Sequence, residues 1–123
     1  MKRTPLDKMS SADLVELFAH ICVAQDEASL GGETAKFNRL FGRMMDVANE
    51  LKSREGDQRA ALVRLFSHPN MQVRLSAAKH TLAVRPAEAR SQVQEIADSR
   101  WFPQAGDAGM CLVLLDDGTV KPS

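Results

Sequence analysis

The chain has 123 residues, with 16 Lys and Arg against 16 Asp and Glu, 44% hydrophobic residues, one Trp and no Tyr. This length suits one domain burying about two-thirds of its unfolded surface. A formal charge of zero excludes a global field that would draw the chain to nucleic acid or an acidic membrane. No run reaches the roughly 18 apolar residues of a membrane helix. Met1-Lys2-Arg3-Thr4-Pro5 is basic but lacks the apolar stretch of a secretory signal.

Residues 1–9 read as a loose lead-in. Ser10-Ser11 then offers an N-cap, with Asp13 in the first turn where a carboxylate suits the helix dipole. Leu14, Leu17, Phe18, Ile21 and Cys22 recur by threes and fours, the spacing of one helix face. Gly31-Gly32 stops that helix near Leu30. A second helix is expected over 33–54, with Phe37, Leu40, Phe41, Met44, Ala48 and Leu51 as its apolar line. Lys36, Arg39, Arg43, Asp46 and Glu50 lie opposite, and Glu50 and Arg54 are correctly ordered for an i,i+4 pair. Gly56 ends the helix, and Asp57 can cap the next one.

A short third helix over 58–67 carries Leu62, Leu65 and Phe66. Pro69 breaks it and pushes His68 out of helical geometry. Asn70 is a good cap for a fourth helix over 71–84, on which Val73, Ala77, Ala78, Thr81 and Val84 share a side. Pro86 suits the first turn of a fifth helix, which runs to about Ser99 through Ala89, Val93, Ile96 and Ala97. The tail has two readings. Cys111-Leu112-Val113-Leu114-Leu115 before Asp116-Asp117-Gly118 fits a strand entering a hairpin turn, or a sixth helix capped by Asp107 and stopped by Gly118. The helix is favoured, since nothing else in the chain reads as a strand to pair with it. Residues 119–123 are a terminal tail. Six helices in about 120 residues make three pairs of about forty, the period of stacked helical repeats.

The residues from Leu62 to Ala78, with Pro69, Val73, Arg74, Ala77 and Ala78, resemble the core of a HEAT repeat. In that repeat a helix ends at an Asp-Pro turn and the next opens on Val-Arg and paired alanines. The chain as a whole resembles a small group of uncharacterised bacterial HEAT-like proteins, best over residues 38–82 and including Asn38-Arg39-Leu40. The resemblance implies an all-α fold: about six helices as three antiparallel pairs in a short right-handed HEAT- or armadillo-like superhelix, as one domain over 1–123. It implies no activity. His68 stands where those repeats place an acid, so Arg74 lacks its usual partner in its own turn.

Charge placement is the sharpest local feature. Residues 58–87 hold no Asp or Glu, yet include Arg59, Arg64, Arg74, Lys79 and Arg85. With Arg39 and Arg43 on the second helix, Arg74 and Arg85 could form a basic groove for phosphate, nucleic acid or an acidic peptide. The simpler reading has Glu50, Glu55, Asp57 and Glu88 neutralise the set. His20, His68 and His80 are too scattered for metal spacing. Asp26-Glu27 and Asp116-Asp117 point about 100° apart on a helix and make no two-carboxylate site. Cys22 and Cys111 read as buried thiols. Trp101-Phe102-Pro103 reads first as a plug at the end of the core, second as a contact anchor. The expectation is a non-enzymatic, cytoplasmic interaction or scaffold module without cofactor or metal. Its partner would be another protein or a second copy, with phosphate or nucleic-acid binding as the alternative.

Overall fold

Every regular element among the described residues is a helix. The computed structural model describes residues 5–123, and the chain divides into two compact units, Met1–Ala61 and Leu62–Ser123.

In the first unit a 3₁₀ turn, Leu6–Lys8, precedes α1 (Ser11–Leu30) and α2 (Thr34–Ser53). Ser10 starts α1 as expected, its Oγ accepting from the Asp13 N–H at 3.0 Å. The stop is also where the glycines put it. Gly32 adopts φ 70°, a left-handed value that favours glycine, and the Glu33 N–H returns to the Ala28 carbonyl at 2.8 Å. This tight turn folds α2 back on α1, and the two helices pack together. Leu14, Phe18, Ile21 and Cys22 from α1, with Leu40, Met44, Val47 and Leu51 from α2, are buried. Each of these Leu, Ile, Val, Met and Phe side chains contributes about 1.5–3 kcal/mol relative to exposure. Phe41 is a correction to the expected apolar line. It is exposed because the buried row steps 40, 44, 47, 48, 51 and the next residue along points about 100° away.

The lead-in is a second correction over residues 5–9, which are tied down, while residues 1–4 lie outside the described residues. Arg54, at the end of α2, donates from Nη2 to the carbonyls of Leu6 (3.0 Å) and Met9 (2.6 Å). Its Nη1 reaches Ser11 Oγ at 3.2 Å, and its Nε pairs with Glu50 Oε2 at 2.9 Å. The expected i,i+4 pair is therefore present and doubles as the mount for a latch.

Residues 58–67 have the expected bounds but wind as a 3₁₀ helix, Gln58–Ser67. The second unit then holds α3 (Met71–Thr81), α4 (Pro86–Asp98) and α5 (Gln104–Asp116). Asn70 caps α3, its Oδ1 accepting from Gln72 N (2.9 Å) and Val73 N (3.2 Å). The helix ends at Thr81, three residues short of the expected end. The buried Thr81 hydroxyl donates back to the Ala77 and Ala78 carbonyls, and the Arg85 N–H closes the turn on the Thr81 carbonyl at 2.7 Å. Helix α4 packs against both α3 and α5, around Leu75, Ala78, Val93, Ile96, Ala108 and Leu112. The tail is thus a helix. It begins at Gln104 rather than at an Asp107 cap, and Asp107 instead lies in its first turn.

Candidate functional site

The four basic residues singled out from sequence fall in different surroundings. Arg39 is exposed on α2. Arg43, one turn on, is half-buried and helps line an apolar cavity of about 450 Å³ with Leu17, Ile21, Asp46 and Val47. In the second unit Arg74 is engaged by α4. Its Nη2 reaches Glu95 Oε1 at 3.4 Å, and the Gln92 amide, oriented oxygen-inward, accepts from Arg74 Nε and Nη2 at 3.2 and 3.3 Å. The acid missing from the turn is supplied by the neighbouring helix. Arg85 is exposed and donates to the Val84 carbonyl at 2.9 Å.

Neutralisation reaches Arg59 too. Its Nε and Nη2 grip both oxygens of Asp57 at 2.9 and 2.6 Å. The bond from Arg59 holds the Asp57 carboxyl below its ordinary range and pushes the Arg59 guanidinium up. Among the described residues the ion pairs involve neither Glu55 nor Glu88, and Glu50 takes Arg54. His68 is a turn residue whose Nδ1 accepts from the Asn70 N–H at 3.0 Å. Among the described residues no three of His, Cys, Asp and Glu gather as a metal set, and no helix is long and apolar enough to cross a membrane. Cys22 is buried and Cys111 half-buried, and neither is in a disulfide. Burial pushes the Cys111 thiol up, against the nearby charges of Lys79 and Arg90.

The surface that the sequence reading misjudged is the aromatic pair before α5. Trp101 and Phe102 do not plug the core: they are 64% and 70% exposed. Arg100 turns the chain outward through φ 60°, and the Ser99 hydroxyl accepts from the Trp101 N–H at 3.1 Å. The Trp101 carbonyl accepts the Ala105 N–H at 2.9 Å, which fixes the pair at the head of α5. From there an apolar line descends the outer face of α5. A β-carbon on Gly106 would meet the Phe102 ring at 3.8 Å, so that ring lies over the first turn. Met110 and Val113 follow at helical spacing, 58% and 56% exposed. Between them and that ring Gly109 is open, for a β-carbon there would meet nothing within 4 Å.

The inner face of the same helix explains why the ridge points out. Ala105, Ala108 and Leu112 are buried in the unit's core, so residues about 100° away must face solvent. At the far end Gly118 takes φ 79°, which lets the tail turn back until the Val120 N–H meets the Leu114 carbonyl at 3.0 Å. Val120, 40% exposed, thereby lies beside Met110 across a cavity of about 300 Å³. Charges flank the line. Arg100 stands exposed at its head, and Asp117 at its foot accepts from the Thr119 N–H at 2.8 Å. Hydrogen bonding from Thr119, its side chain first and then this N–H, holds the Asp117 carboxyl below its ordinary range.

A family model described as a domain of unknown function, DUF2019, matches residues 12–116. The chain belongs to the DUF2019 family. The match spans α1 to the end of α5 and so includes every ridge residue on that helix. This DUF2019 chain is similar in structure to the protein RPA1889 from Rhodopseudomonas palustris CGA009, whose crystal structure it matches with a TM-score of 0.95 and 61% identity. That match covers 98% of this chain and 100% of the other. No curated protein matches the sequence.

Proposed function

We propose that this DUF2019 chain is a non-enzymatic interaction module of the cytoplasm, HEAT-like in its helix pairing, that docks a protein through the outer face of α5. One observation carries the reading: Trp101, Phe102, Met110 and Val113 stand exposed in one line along α5 and the turn before it, whereas exposed Leu30 and Phe41 stand singly on α1 and α2. Scattered apolar residues on a surface need no explanation, whereas a contiguous line led by Trp and Phe is the composition of an interface centre. The wall behind it is rigid, because the opposite face of α5 is locked into the core with α4. The HEAT-like reading draws on Pro69, Val73, Arg74 and the alanine pair, with a 3₁₀ rather than an α-helical first arm.

Binding of phosphate or nucleic acid draws less support. Arg59 and Arg74, two of the five basic residues in the acid-free stretch, already hold acidic partners. What would remain exposed is Arg64, Lys79 and Arg85, too few phosphate contacts for strong retention at moderate salt.

The test is capture from the native host with the wild-type chain and with Met110→Glu/Val113→Glu as paired baits. Both positions are exposed, so the variant should keep its helical circular dichroism. A partner held by the wild type and released by the variant is the expected result. Identical captured sets would reject the α5 face.

A further inference from the structure

We propose that the α5 ridge pairs with the same ridge of a second copy of this chain, the two helices running antiparallel and crossing at Gly109. The proposal rests on the reading of this face as a docking surface and names its occupant.

Charge complementarity is the first reason. Arg100 lies nine residues before Gly109 and Asp117 eight after it. The two charges stand at opposite ends of α5, so a two-fold axis near Gly109 sets the Arg100 end of each copy against the Asp117 end of the other, because an isologous contact pairs i with j and j with i. Both groups are available for this. Arg100 enters none of the ion pairs Arg54–Glu50, Arg59–Asp57, Arg74–Glu95 and Arg90–Asp116. The neighbouring Asp116 is already taken by Arg90 at 2.7 Å, which leaves Asp117 as the acidic end of the ridge. An antiparallel crossing also sets the helix dipoles head to tail.

Shape is the second reason. Glycine in a helix interior is disfavoured relative to alanine, yet α5 carries two: Gly106 is exposed and Gly109 half-buried. The open space over Gly109 is where two backbones can approach at the crossing point. Met110 of each copy then passes beside Gly109 of the other, so a protruding residue meets the open one, while Val113 meets the Phe102 ring that lies over Gly106. Trp101, exposed at the head of α5, closes the ends over the second copy's last turn. The contact is short, since a 13-residue helix spans only about 20 Å. Pairing should therefore be weak and concentration-dependent, as for interfaces at the small end of the range.

Sedimentation equilibrium of the full chain, from about 1 μM to about 1 mM to bracket ordinary weak affinities, tests this. Emission from Trp101, the one Trp in the chain, is followed in parallel. The expected result is a monomer–dimer equilibrium with a blue shift of Trp101 as dimer forms. Arg100→Glu and Asp117→Arg should each weaken it roughly tenfold, because each places like charges together at two symmetric sites. The double variant Arg100→Glu/Asp117→Arg should recover most of the loss. A chain that stays monomeric throughout overturns the second copy as occupant. The docking surface itself would still stand if Met110→Glu/Val113→Glu released a different captured protein. A dimer indifferent to the charge reversals overturns the antiparallel register. A dimer indifferent to Met110→Glu/Val113→Glu overturns the ridge altogether.

Discussion

Replacing Arg54 by Ala should release the segment before α1 and lower the stability of the first unit by about 2 kcal/mol. The guanidinium makes four contacts: Glu50 Oε2, Ser11 Oγ and the carbonyls of Leu6 and Met9. Charge-assisted hydrogen bonds are worth roughly 1.5–3 kcal/mol each when the partner is left buried and unpaired. Here the discount is large. The Arg54 and Glu50 side chains are about one-fifth exposed, and the Leu6–Lys8 turn buries no residue of its own, so the carbonyls rehydrate when the latch is removed. The residual cost of about 2 kcal/mol should lower Tm by roughly 6–10 °C in a chain of this size. Hydrogen exchange is the sharper assay. The Lys8 and Met9 amides are held by the Pro5 and Leu6 carbonyls and should exchange much faster in Arg54→Ala. Helix α1 should keep its protection, because Ser10 caps it independently. Arg54→Lys, which keeps the charge but loses the fork, should fall between. Unchanged exchange at residues 6–9 in Arg54→Ala would refute the latch.

Gln25 is buried on α1 with neither amide atom hydrogen-bonded among the described residues, so the near-isosteric Gln25→Met should raise the urea midpoint by about 1 kcal/mol of stability; a loss would show that the amide is satisfied. Asn70→Ala should cost about 1 kcal/mol by removing the cap on Gln72 and Val73, read as a lower thermal midpoint without loss of helix content. Asp57 titrates lower folded than its ordinary 3.8 because of Arg59. A carboxyl depressed on folding stabilises above its unfolded value, and that contribution fades as pH falls through it toward the folded value. The stability gap between wild type and Asp57→Asn should therefore be full at pH 6, about two units above that value, and shrink below about 3.8; a gap constant with pH would contradict the pairing.

The parts of the fold legible in sequence are those fixed by neighbours along the chain. Caps at Ser10 and Asn70, the glycine stop at 31–32, the Pro86 start and the Glu50–Arg54 pair are all local, and all are present. What was not legible depends on contacts between distant residues. The partner of Arg74 comes from Gln92 and Glu95 on α4, which no motif marks. The latch function of Arg54 needs carbonyls some 45 residues away. Sequence patterning gives 58–67 as a helix but does not distinguish 3₁₀ winding from α. The outward turn of Trp101 and Phe102 is the most consequential miss. Apolar residues between two helices ordinarily plug a core, and neither the left-handed Arg100 nor the Trp101 carbonyl at the head of α5, beside which they stand exposed, is marked in the sequence. One signal was available. Gly106, Gly109, Met110 and Val113 fall on one side of α5, while Ala105, Ala108 and Leu112 take the other, so a helix reading of the tail already implied a second apolar face.

Photo-cross-linking in the native host addresses the docking face most directly. A photoreactive side chain is placed at Val113 in one strain and at exposed Glu16 of α1 in another. An adduct at position 113 and none at position 16 is the expected result. An adduct of twice the chain's mass identifies the second copy, and any other mass a different protein. Absence of adducts at position 113, or equal adducts at both positions, would contradict α5 as the docking surface.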